Sequence, residues 1–170
     1  MASQASTKFA QSKKDILMLW HIHAEVAGRG KGRQHRKDVL NRAAIVFISA
    51  CWESYIEDAA REAFDSLLEH STTPDVFPAK VRTLAAKGLR ESSDERRIWE
   101  LAGSGWKTVL IDYRDFVLEE WLKDFNTPKS KQVKELFAGL LGLRDMSTNW
   151  SWPAMSAEQA QTKLDEYVTI

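Results

Sequence analysis

Apolar residues recur at helical spacing along almost the whole chain, and no alternating Val/Ile/Thr-rich segment interrupts them. The pattern predicts a first helix from Thr7 to Val26, with Phe9, Ile16, Leu17, Trp20 and Ala24 on one broad face. "GRGKGRQHR", Gly28 to Arg36, ends it, because three glycines and dense positive charge predict an exposed loop. A second helix follows from Lys37 to Glu69, about 50 Å long at 1.5 Å per residue. "STTPDVF" stops it. A short helix is expected from Pro78 to Leu89, with Pro78 in its first turn. "ESSDERRIWELA" restarts helix with Ser92 or Ser93 as N-cap. After "GSG" comes an amphipathic helix, Trp106 to Phe125, with Val109, Leu110, Tyr113, Phe116, Val117, Trp121 and Leu122 on its core side. A helix over Ser130 to Leu141 follows the turn "NTP". In the last helix, Ser156 and Gln159 form a capping box. The fold class expected is all-α: a single-domain helical bundle over residues 1–170, with a long central second helix.

The run "NRAAIVFISACWESYIEDAA", Asn41 to Ala60, is apolar nearly all round, yet it carries Glu53. A half-exposed helix shows an apolar stripe of about 100° and a polar back. This segment therefore reads as a helix covered on several sides, with Phe47, Ile48, Cys51, Trp52 and Tyr55 largely buried. A charge buried there costs several kcal/mol unless paired or neutralised. Glu53 falls on a second face with Arg42, Val46, Ser49 and Ala60, with Glu57 about 40° round at 100° per residue. Arg61 lies two turns away, a poor pairing distance, so a basic residue from another helix is the better structural partner. A functional role for the carboxylate stays open beside that reading.

Composition is ordinary for a globular protein, 44% hydrophobic and 28% charged, with zero net charge at neutral pH. No global field draws such a chain to nucleic acid or membrane, so any such binding rests on a local patch. The candidate patch is the glycine-rich loop. Arg29, Lys31, Arg33 and Arg36, with Lys37, place five positive charges within nine residues. They suit contacts to an RNA backbone, although a solvated loop between helices needs no such role. No Ser or Thr follows Lys31 to make a phosphate-cradling P-loop. His21 and His23 point about 200° apart on a helix and cannot share a metal, so neither metal nor cofactor is expected. No nucleophile elbow or Cys/His pattern occurs. Asp112/Asp115 and Glu119/Glu120, beside Arg114 and Lys123, read as surface ion-pair partners. Trp52, Trp99, Trp106 and Trp121 fall at core spacing. Trp150 and Trp152 suit a base-stacking platform or, more commonly, a plug at a bundle end. The single cysteine, no signal-like N-terminus and no long apolar run predict a cytoplasmic protein without membrane attachment.

Three segments in order resemble a known family. "NRAAIVFISACWESYIEDAA" is similar to the second-helix signature of the HEPN superfamily (higher eukaryotes and prokaryotes nucleotide-binding), nearest its RiboL-PSP-HEPN and MAE-type branches with their "WE-x-Y". "FNTPKSKQVKELFAGLLGLRDM", Phe125 to Met146, resembles those branches' "N-x-P … LF … LLG". A "W-x-W" then precedes a helix at Trp150. The resemblance implies a helical bundle, usually homodimeric, and often a metal-independent endoribonuclease of toxin–antitoxin or phage-defence systems, with a cognate antitoxin or defence partner. It implies for Glu53 a supporting catalytic carboxylate beside the arginine of an Arg-x(4–6)-His signature on a late helix. That signature is absent where the family places it, since no arginine or histidine follows Arg144. The numerical match Arg29 to His35 lies in the loop, where no helical face holds both side chains together. The last helix closes on Tyr167, Val168 and Ile170 without a C-cap, so a truncated domain, inactive as it stands, is expected. A non-catalytic HEPN dimerisation or binding module is the alternative.

Overall fold

The computed structural model of the protein describes residues 3–27, 35–124, 128–150 and 154–167. Its α-helices are α1 (Gln4–Ala27), α2 (His35–His70), α3 (Ala79–Ala85), α4 (Lys87–Arg90), α5 (Gly105–Asp124), α6 (Ser130–Leu141) and α7 (Ala157–Tyr167). Short 3₁₀ turns lie at Pro74–Val76, Glu95–Leu101 and Met146–Asn149. There is no β-strand among the described residues, so the fold is all-α. Among them, too, no helix is long and apolar enough to cross a membrane. The chain gathers into two compact units, Met1–Ala59 and Ala60–Ile170, divided within α2.

In the first unit, α1 starts three residues before Thr7 because Ser3 caps it: the Ser3 hydroxyl accepts the Ser6 N–H at 3.0 Å. Phe9 stacks on Tyr55 with ring centroids 4.6 Å apart, and Lys8 pairs with Asp58 at 2.9 Å, joining α1 to α2. The predicted burial of α2 is corrected here. Phe47, Ile48, Cys51, Trp52 and Tyr55 are each half-buried, while Ile56 is buried. Within this unit α1 is the single described helix beside α2, and one neighbour covers only part of a helix that is apolar nearly all round. The α1 face is corrected as well: Phe9 and Ile16 are half-buried, but Leu17, Trp20 and Ala24 are exposed.

The second unit holds most of the buried core. Ala60, Phe64 and Leu68 follow one another at four-residue spacing on α2, and Phe64 meets Phe77 with centroids 5.0 Å apart. Val81 of α3, Leu110 and Leu118 of α5, and Val133, Leu136 and Leu140 of α6 complete it. Burying each such side chain is worth about 1.5–3 kcal/mol. Tyr113 on α5 donates to the Gly139 carbonyl on α6 at 3.1 Å.

Three local expectations change. The helix predicted over Pro78 to Leu89 breaks at Ala86, with Pro78 as N-cap outside the first turn; Gly88, a poor helix former, follows the break. Asp94 caps the next segment, accepting the Arg96 N–H at 3.1 Å, and that segment winds as a 3₁₀ helix that leaves Trp99 75% exposed. On α5, Phe116 is exposed and Leu118 takes a core position. By contrast, α6 spans the predicted residues. Its C-cap Gly142 has φ 71°, in the left-handed region that favours glycine, and a Cβ there would collide with Pro78 Cγ. The Ser156–Gln159 capping box is formed in both directions, at 2.9 and 3.2 Å.

Candidate functional site

Glu53 lies on α2 between the half-buried Trp52 and the exposed Ser54. Trp52 and Tyr55 approach with ring centroids 5.9 Å apart, and Phe9 also contacts the Tyr55 ring. The face that carries the carboxylate grades from exposed to covered. Arg42 and Val46 are exposed, Ser49 and Glu53 are half-buried, and Ala60 is fully buried. Glu53 is therefore less covered than its apolar surroundings in the sequence suggested.

Its chemistry follows from that position. Partial burial raises the Glu53 carboxyl above its ordinary range, and the negative charge of Glu57, one turn on, raises it further. Glu53 makes no hydrogen bond or ion pair among the described residues, so no cation offsets either effect. Arg61 pairs with Asp115 at 3.1 Å. A carboxylate in this state holds its proton more tightly than a free one and favours a cation brought beside it.

Arg29, Lys31 and Arg33 lie outside the described residues, and Arg36 is placed in the first turn of α2 with its side chain outside them. Seventeen residues separate Arg36 from Glu53 on one continuous helix, about 25 Å at 1.5 Å per residue. One phosphodiester cannot meet both. His21 is exposed, whereas His23 is half-buried beside Trp20, with ring centroids 5.8 Å apart. Among the described residues, no three His, Cys, Asp or Glu side chains gather closely enough to hold a metal ion. Trp150 is half-buried, and Trp152 lies outside the described residues.

The segments that carried the resemblance now have structural places. Trp52-Glu53-Ser54-Tyr55 sits within α2, and Leu140-Leu141-Gly142 is the last turn and C-cap of α6. The model of the RiboL-PSP-HEPN family matches residues 8–170, nearly the whole chain. The chain belongs to the RiboL-PSP-HEPN family. No curated protein and no solved structure matches it. In this HEPN chain the family segment from Pro128 to Gly142 has a packing basis. Pro128, Leu136, Phe137 and Leu140 are buried, and the closing glycine turns the backbone through a conformation that other residues rarely adopt.

Two further groups of polar residues have surroundings that the sequence pattern does not give. Arg114 bridges Asp65 and Asp115, and its side chain is only 12% exposed, so it is less superficial than a surface ion pair. Arg82 lines a cavity in the second unit. Asp115 is adjacent to Arg114 in the chain, but Asp65 reaches it from α2, and the cavity around Arg82 is completed by Leu101 and residues of α5.

Proposed function

We propose that this HEPN chain is an RNA-engaging domain of the metal-independent endoribonuclease type, acting in the cytoplasm in a toxin or phage-defence setting. Residues 1–170 then form one HEPN domain that pairs as a homodimer through the small-residue face of α2. The observation that carries the reading is Glu53: a half-buried carboxylate at the family's "WE-x-Y", without a cation beside it among the described residues. Such a group suits orientation of an incoming arginine. Cleavage of this type needs a base for the 2′-hydroxyl and positive charge at the phosphate. Acid–base help contributes about 10²–10⁴-fold, and one positioned electrostatic donor about 10²–10³-fold. The 170 residues hold an Arg-x(4–6)-His only as Arg29–His35. They are therefore expected to bind RNA through Arg29, Lys31, Arg33 and Arg36, with affinity falling as salt rises, and to leave it uncut.

The test uses labelled RNA in EDTA, first with the 170-residue chain and then with a fusion that appends a helix bearing Arg-x(4–6)-His. Cleavage by the fusion, weakened in Glu53→Gln, supports the reading. A fusion that binds RNA without cutting it favours the alternative, a non-catalytic HEPN binding or dimerisation module. Cleavage by the unfused chain that disappears in His35→Ala would overturn the assignment of Glu53 and make the loop the site.

A further inference from the structure

The second unit contains a cavity of about 500 Å³ between the Thr72–Pro74 segment, α3, the Glu95–Leu101 turn and the start of α5. That volume lies within the range of small-molecule sites. Its walls are mainly apolar: Ala85, Leu101, Val109 and Leu110, with the half-buried indole of Trp106. Among the described residues, one charged residue, Arg82, belongs to this lining. Arg82 is tethered by its Nη1, which donates to Asp75 Oδ1 at 2.6 Å. Its Nε is shut off from solvent and has no acceptor among the described residues, and Nη2 has no protein acceptor among them either. A buried N–H left unpaired costs about 1–3 kcal/mol, so the guanidinium edge holds unspent hydrogen-bonding capacity.

We propose that this cavity binds a planar, mostly apolar small molecule bearing one carboxylate, which pairs with the Nε–Nη2 edge of Arg82. The two donors of that edge match the two oxygens of a carboxylate in a parallel fork. Because Nε is shut off from solvent, its pairing requires the guanidinium to turn about its Asp75 tether. Charge sets the class of anion. Asp75 already offsets part of the one positive charge, which suits a single negative charge better than a phosphate monoester carrying about −1.5 to −2. The apolar walls and the Trp106 ring favour a flat hydrocarbon body. This site is independent of the RNA reading and of Glu53.

The test is calorimetric titration of the 170-residue chain with 2-naphthoate and with its neutral isostere 2-naphthamide. The acid is expected to bind at least about tenfold more tightly, the size of one charge-assisted hydrogen-bonded pair. Arg82→Gln is expected to reduce the acid to the level of the amide and leave the amide unchanged, with far-ultraviolet dichroism confirming the fold. The acid-to-amide ratio on the unmodified chain stands without the variant if that variant unfolds. Equal affinities for acid and amide, no binding of either at millimolar concentration, or an acid affinity unmoved in folded Arg82→Gln would each overturn the proposal.

Discussion

Asp165 holds Ser130 twice, accepting its backbone N–H at 2.7 Å and its hydroxyl at 2.8 Å. Ser130 is the first residue of α6, where an N–H has no partner within its own helix. The carboxylate that satisfies it comes from α7, 35 residues later. Negative charge at a helix N-terminus is itself favourable. Asp165→Ala strands a donor at a buried position and is expected to cost about 1.5–3 kcal/mol. Asp165→Asn, which keeps one acceptor oxygen, should cost about half as much. Urea denaturation of the three proteins measures this, and a loss near zero for the alanine variant would show that the helices meet without help from this pair.

Arg114 makes a comparable link between α5 and α2. It donates to Asp65 and to Asp115, while Arg61 also reaches Asp115. The two carboxylates are nearly half exposed, which lowers the value of the network below that of a fully buried one. Arg114→Gln is expected to destabilise by about 1–3 kcal/mol. Arg96→Gln, at an exposed ion pair with Asp94, should leave stability close to that of the parent. Similar losses for both would mean that the covered position of Arg114 adds nothing.

Glu53 gives a pH signature with a definite sign. Its folded carboxyl lies above the ordinary value of 4.5, so between the two the folded chain binds more proton than the unfolded one. Stability from this group is therefore greatest below pH 4.5 and declines as pH rises through the folded value. Glu53→Gln removes the decline. The variant is expected to be no less stable than the parent at pH 7, with its relative advantage vanishing towards pH 4. Glu57→Gln should move the Glu53 carboxyl back towards its ordinary range in a carbon-detected titration. A loss above about 3 kcal/mol in Glu53→Gln at pH 7 would reveal a charged partner.

Gly142→Ala meets two obstacles together. The left-handed backbone costs an L side chain about 1–2 kcal/mol, and the new methyl runs into the Pro78 ring. A combined loss of about 2–4 kcal/mol is expected. Pro78→Ala should return part of it, so that the double variant is more stable than the sum of the singles predicts. Additive losses would show that the steric contact contributes little.

The helices were legible where their signals are local. Ser130 to Leu141 and the Ser156–Gln159 box are set by residues a few positions apart, and they stand as read. Periodicity gives the direction of a face but not how many neighbours cover it. That is why Leu17, Trp20, Trp99 and Phe116, all at core spacing, are exposed, and why Trp52 is only half-buried. Asp94 displaced Ser92 and Ser93 as cap because its carboxylate reaches both the N–H and the guanidinium of Arg96. For the candidate site, the position of Glu53 and the direction of its proton affinity could be read from α2 alone. The cover of Arg114 by Asp65 and the cavity beside Arg82 could not, since Asp65 lies on another helix and the cavity needs Leu101 and α5.

The meeting of Gly142 with Pro78 also limits how this sequence can drift over generations. A change at either position alters what the other can accept, although 64 residues separate them. In an alignment of RiboL-PSP-HEPN chains the two columns should covary: glycine after the paired leucines alongside this proline, and a bulkier residue there only where the ring has gone. Such covariation would place the proline under selection through its neighbour, quite apart from the helix it introduces.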